Sequence, residues 1–189
     1  MLVAFGWAPY LSGMRCILVV LALLSAAPAF AQTQRKPVTP PKESSAEGPK
    51  KLGEFDDWIA ATHQESGQTA CYAFVRASNS VPAVPGRGDV VLTVTERPSG
   101  RDTVAISAGF TFHKDAAVTM QVDTTGLEFY TVQSSAFARE GRAAVAAFQR
   151  GDQALARSPG PREGQTVVDT FSLRGFSAAY AAINKACPR

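Results

Sequence analysis

Apolar and polar residues alternate with a period of two through the middle of the chain. Val104, Ile106, Ala108, Phe110 and Phe112 fall on one side of an extended segment, while Thr103, Ser107, Gly109 and Thr111 fall on the other. This is the pattern of a strand with one buried face. Val118, Met120 and Val122 repeat it against Thr119, Gln121 and Asp123. Val90, Leu92 and Val94 do the same ahead of the turn residues Pro98, Ser99 and Gly100, and these neighbours are expected to pair antiparallel. Further strands are predicted over 58–62 and 70–75, with Gly67 in the polar turn between them, and over 126–132 and 166–173.

The period changes to that of a helix in two places. Phe176, Tyr180, Ile183 and Cys187 recur at helical spacing before Pro188, and the Ala-rich stretch 143–150 is stopped by Gly151. Many short strands with turn signals between them predict an all-β, antiparallel β-sandwich rather than a βαβ fold. The short C-terminal helix is expected to cover an open edge or end of it.

The start of the chain has a different character. Met14 and Arg15 precede the apolar run 17–24, and Ala29, Phe30 and Ala31 form an A-x-A site before Gln32. A positive region, an apolar run too short to span a bilayer and small residues at a cleavage point describe a secretory signal peptide over 1–31. Residues 1–13 lie upstream of that pattern, so the start is either Met1 or Met14. The alternative to cleavage after Ala31 is an uncleaved anchor, against which Arg15 and the A-x-A site argue. With the signal removed, no transmembrane anchor is expected, and the location is periplasmic or secreted.

Residues 32–51 follow with Arg35, Lys36, Lys42, Lys50 and Lys51 set among Pro37, Pro40, Pro41 and Pro49. Such a segment has almost nothing apolar to bury and is expected to be a disordered linker. It is either a solvated spacer or an electrostatic contact for anionic lipid or polysaccharide. The excess positive charge of the chain sits here: residues 52–189 hold 13 Lys and Arg against 14 Asp and Glu. A nucleic-acid partner needs a basic face on the folded part, so none is expected.

The folded part, 52–189, is one domain of ordinary size with a real core. It keeps Cys71 and Cys187, because Cys16 leaves with the signal. An even pair in an oxidising compartment predicts one disulfide. The alternative is two buried free thiols.

Several features fall into a recognisable order. They are the Phe55 to Trp58 opening, Cys71 in an aromatic strand, Ser107-Ala108-Gly109-Phe110 in mid-domain, an Ala-rich segment closing at Gly151, and the run Phe171-Ser172-Leu173-Arg174-Gly175-Phe176. Together with the export signal, they resemble the invasion-associated locus B (IalB) family of exported bacterial proteins. The resemblance implies an immunoglobulin-like β-sandwich, a periplasmic or cell-envelope location, and a link with host-cell invasion in some members. It supplies no catalytic residues.

The residues themselves offer little chemistry. His63 and His113 are the two histidines, each expected at a turn or strand end among polar neighbours, where a solvated side chain is the default. No metal-ligand spacing, nucleophile elbow or phosphate-cradling loop is present in the sequence, so neither a metal nor a cofactor is expected. Asp56 and Asp57 precede Trp58, and a hairpin bringing Asp57 near His63 would make a carboxylate cleft with an aromatic wall. Against that stands Trp58 as a plain core anchor. Arg87-Gly88-Asp89 spells an integrin-binding tripeptide, although turn chemistry beside Pro85 and Gly86 accounts for the same residues.

The function expected is that of a non-enzymatic envelope or surface module that binds an envelope protein or polysaccharide, with loops 86–89 and 158–164 the exposed candidates. The alternative is a periplasmic hydrolase or carbohydrate-active enzyme using Asp57 and His63.

Overall fold

In the computed structural model, which describes residues 48–189, the alternating segments pair into a single antiparallel sheet. The expected signal peptide and the linker up to residue 47 lie outside the described residues. In chain order the elements are β1 (Lys50–Phe55), β2 (Trp58–Glu65), β3 (Gln68–Arg76), β4 (Asn79–Val81), β5 (Val91–Arg97), β6 (Gly100–Ser107), β7 (Ala117–Val122), β8 (Thr125–Val132), β9 (Ser135–Ala138), α1 (Gly141–Phe148), β10 (Gln153–Pro159), β11 (Thr166–Ser172) and α2 (Phe176–Ala186). Hydrogen bonding runs continuously in the order β1-β2-β3-β5-β6-β9-β8-β7-β10-β11-β4.

The sheet folds over on itself as a β-sandwich. Leu92, Val94, Val104 and Ile106 from one layer share a buried cluster with Val118, Met120, Leu127 and Phe129 from the other. These are the inward positions of the period-two pattern, so the sequence alternation translates directly into the core.

Three expectations need adjusting. The strand read through Phe112 ends at Ser107, because Gly109 takes a left-handed φ of 71°. A Cβ there would come within 2.4 Å of Gly88 O, so only glycine admits this contact. Four strands, β1, β4, β9 and β10, were not anticipated. Finally, β1 begins at Lys50, two residues ahead of the expected boundary at Leu52. It pairs with β2 on one side only, and its exposed lysines suit an outer strand that must resist pairing with another chain.

The run from Leu173 to Phe176 has a structural explanation. Gly175 adopts φ 84° at the start of α2, and a Cβ there would lie 1.9 Å from Phe55 O. That close approach lets the helix enter the sandwich end. Phe176 is fully buried, with its ring centroid 4.8 Å from Trp58 and 5.5 Å from Phe148 of α1. Trp58 donates its indole N–H to Ser172 O at 3.0 Å, tying β2 to β11. The two helices therefore close one end of the sandwich through a shared aromatic cluster.

Candidate functional site

Asp57 and His63 do not meet. Asp57 lies in the β1–β2 turn, where its Oδ2 accepts from Ser172 Oγ at 2.6 Å. His63 is six residues further along, and at the rise of a strand the two are roughly 20 Å apart. Its Nε2 lies 3.2 Å from Glu65 Oε1 and its ring stands edge-on to Tyr72 at 5.3 Å. Glu65 is itself held by Arg97, with Nε and Nη2 at 2.6 and 3.0 Å from its two oxygens. The Arg97 fork, with help from His63, lowers the Glu65 pKa to about 2. The carboxylate beside His63 is thus a fixed anion engaged by an arginine, and the hairpin does not create the acid-base pair envisaged from sequence.

The tripeptide 87–89 is also not a free motif. The Arg87 side chain is only 6% exposed. Its Nη1 and Nη2 donate to the two oxygens of Asp169, its Nε donates to Ala108 O at 2.6 Å, and its guanidinium lies over Phe110 at 4.9 Å. Asp169 is held from the other side by Ser80 Oγ at 2.6 Å. Arg87 therefore acts as an internal strut joining the loop before β5 to β11.

The other expected loop is open only at its tip. Ser158 is buried at the end of β10, whereas residues 161–164 are exposed. With His113, Arg162, Glu163 and Gln165 this hairpin lines an open cleft of about 570 Å³. His113 is exposed there. Among the described residues there is no group of three side chains able to hold a metal ion.

Two arrangements escaped the sequence reading. The first is a buried ionisable cluster under α2. Glu96 is fully buried and Asp102 nearly so, and Arg101 Nε lies 2.5 Å from Glu96 Oε2. Glu96 is the direct cross-strand partner of Cys71, which the structure joins to Cys187 with the Cα atoms 6.0 Å apart. Burial, reinforced by the Asp102 carboxylate and opposed by Arg101, raises the Glu96 pKa to about 7. Tyr180 donates its hydroxyl to Asp102, and burial together with that bond pushes the phenol up to about 12.

The second is a row across the outward face of the sheet. Ile59, Phe74, Thr93, Ala105, Phe137 and Tyr130 are successive register partners on β2, β3, β5, β6, β9 and β8. They are half-buried except Tyr130, which is exposed. Tyr130 stacks on Phe137 at 5.6 Å, and Tyr72 stacks on Phe74 at 6.0 Å. Charged pairs flank the row. Arg76 lies over Phe74 and 3.3 Å from Asp89, while Arg139 lies over Tyr130 and 3.9 Å from Glu128. An apolar, aromatic centre with a charged margin is the anatomy of a protein contact surface. Period two marks such residues as outward-facing in sequence, but only the strand order shows that they form one row.

Comparison with known proteins bears on this geometry. The family model described as "Invasion associated locus B (IalB) protein" matches residues 58–184. The crystal structure of invasion associated protein B from Bartonella henselae is similar in fold, with a TM-score of 0.52 and 17% sequence identity over 71% of this chain and 95% of that one. No curated protein matches the chain.

Proposed function

The chain belongs to the invasion associated locus B family, and from that premise we propose that it is a non-enzymatic binding module of the cell envelope. The observation that carries this reading is the aromatic row ending at Tyr130, with its flanking arginine pairs. Tyrosine, phenylalanine and arginine are enriched at protein interfaces, and anchors of this kind dominate binding energy when water is excluded around them. The partner this face suits is therefore another envelope protein. Two of the close ionic contacts of the described domain, Arg87 with Asp169 and Arg97 with Glu65, serve structure and leave Glu65 engaged beside His63.

Export to the periplasm or beyond completes the proposal. It rests on the sequence signal ending at Ala31, on the family, and on a disulfide, which persists in oxidising compartments. Protein recovered from a periplasmic or culture fraction is expected to begin at Gln32. No helix among the described residues is long and apolar enough to cross a membrane.

The test is crosslinking capture from intact cells, with the full chain tagged after Arg189 and a Tyr130→Asp variant run in parallel. One dominant envelope protein, captured by the parent and lost from the variant, supports the reading. Capture of polysaccharide instead, or a protein partner indifferent to Tyr130→Asp, overturns the assignment of this face. A hydrolytic activity abolished by Asp57→Asn or His63→Ala would overturn the non-enzymatic reading itself.

A further inference from the structure

The C-terminal helix is fastened by a guanidinium that two claimants share. Arg101 Nη1 donates to Cys187 O at 2.6 Å, and its Nη2 donates to Asn184 Oδ1, so its hydrogen bonds hold the last turn of α2. Its Nε faces Glu96 Oε2 at 2.5 Å, yet neither atom has a hydrogen-bond partner. The N–H does not point at the oxygen, so Glu96 receives the charge of Arg101 and not its hydrogen bonds. On the other oxygen, Oε1, Glu96 accepts only a long bond of 3.3 Å from the Asp102 backbone N–H.

The charge balance of the cluster depends on one proton. The groups facing Glu96 are Arg101 and Asp102 from β6 and Tyr180 from α2. β3 presents Cys71, which cannot titrate in the disulfide, and Lys185 of α2 and Arg142 of α1 are exposed. With Glu96 protonated, one guanidinium balances the Asp102 carboxylate, and its donors are free to hold the helix. With Glu96 ionised, two buried carboxylates compete for one cation. An unpaired buried charge is far costlier than a broken surface bond. The relief available is for Arg101 to turn toward Glu96 and release Cys187 O and Asn184, or for water to enter beneath α2.

We propose that Glu96, Arg101, Asp102 and Tyr180 form a pH-sensitive latch on α2: Glu96 protonation keeps the helix docked, and its ionisation loosens the last turns while the Cys71–Cys187 disulfide keeps them tethered. The direction follows from linkage. The folded-state pKa of Glu96 is raised to about 7 from 4.5. Its contribution to docking is therefore full below pH 4.5 and is lost as pH rises through 7. The latch loosens on the alkaline side.

Amide exchange of residues 176–187, expressed as protection factors in the full chain with its disulfide intact, tests this at pH 5.5 and pH 8.5. Protection in α2 is expected to fall at least about tenfold at the higher pH, one pKa unit being a factor of ten. Amides of β7 and β8 should hold steady. Glu96→Gln, which cannot ionise, should give α2 equal protection at both values. Equal protection in the parent, or a persisting pH response in Glu96→Gln, would overturn the latch. Should that variant fail to fold, the carboxyl carbon shift of Glu96 in the parent decides: a midpoint near 7 coinciding with the loss of protection supports the latch, and one near 4.5 overturns it.

Discussion

Arg87 and Asp169, 82 positions apart in sequence, meet in a two-pronged ion pair with N–O distances of 2.7 and 2.8 Å. Both side chains are almost fully buried, at 6% and 3% exposure, so the pair works in a low-dielectric setting where every polar atom needs a partner. Ala108 O and Ser80 Oγ complete the set. Removing one partner strands a buried charge, which costs about 3 to 5 kcal/mol. Arg87→Ala and Asp169→Asn are each expected to lower the urea midpoint accordingly. Arg87→Lys should recover little, because an ammonium cannot fork. A double replacement, Arg87→Met with Asp169→Leu, should lie closer to the parent than Arg87→Ala does, since it leaves no orphaned charge.

The same burial settles what to expect of the tripeptide. Asp89 is well exposed and pairs with Arg76, but the arginine an integrin-type receptor would need is inside the domain. Asp89→Glu is expected to leave attachment of host cells to the purified protein unchanged. Loss of attachment would mean that the loop opens and frees Arg87.

How much of this could be read from the sequence depended on how far apart the interacting residues lie. Val118, Met120 and Val122 announce β7 because one strand face needs only its own alternation. β10 was hidden because its inward positions, Ala154, Ala156 and Ser158, are small or polar and give almost no hydrophobic signal. β9 has only four residues. β1 owes its place to pairing with β2 and to the fit of Gly175 against Phe55 O, a contact invisible locally. The site residues divide the same way. Cys71 and Cys187 could be paired by counting, whereas the competition for Arg101 requires β5, β6 and α2 to be assembled first.

Glu65 and Arg97 form a half-buried counterpart of the buried pairs. The folded pKa of Glu65 is lowered from 4.5 to about 2 by the fork from Arg97. The stability it contributes is therefore present above pH 4.5 and lost as pH falls toward 2. The carboxylate is 43% exposed, so solvent screening keeps the pair at less than about 1 kcal/mol. Glu65→Gln should cost no more than that at pH 7 and should flatten the acid limb of the stability curve between pH 4.5 and 2. A loss of several kcal/mol in a denaturation series would show that the pair is shielded from solvent.

Trp58 separates two contributions within one side chain. It is fully buried in the aromatic cluster with Phe176, so Trp58→Ala is expected to cost about 3 to 5 kcal/mol. Trp58→Phe keeps a ring but leaves Ser172 O without its 3.0 Å donor. An unsatisfied carbonyl of this kind costs about 1 to 3 kcal/mol. Equilibrium unfolding of both variants checks the ranking. Equal losses would mean that a phenyl ring adds nothing at this site, and that what both variants lack, the indole fit and its hydrogen bond, carries the contribution.

The disulfide should be the largest single covalent contribution to stability in the domain. Cys71 and Cys187 are 116 residues apart, nearly the whole folded length, so the crosslink removes much of the freedom of the unfolded chain. In the chain-entropy account a loop of this length contributes about 4 to 5 kcal/mol. Mature protein beginning at Gln32, which lacks Cys16, is expected when purified without reductant to take up no thiol label in denaturant, and two labels after reduction. The Cys71→Ala, Cys187→Ala variant should unfold at markedly lower urea. Because Cys71 stands opposite Glu96 and Arg101 holds Cys187 O, the loss should not be spread evenly. Protease cuts in the reduced protein are expected first in 176–189, while β7 and β8 remain protected. Cleavage beginning instead in β7 or β8 would show that the crosslink stabilises the sandwich as a whole, and not chiefly the docking of α2.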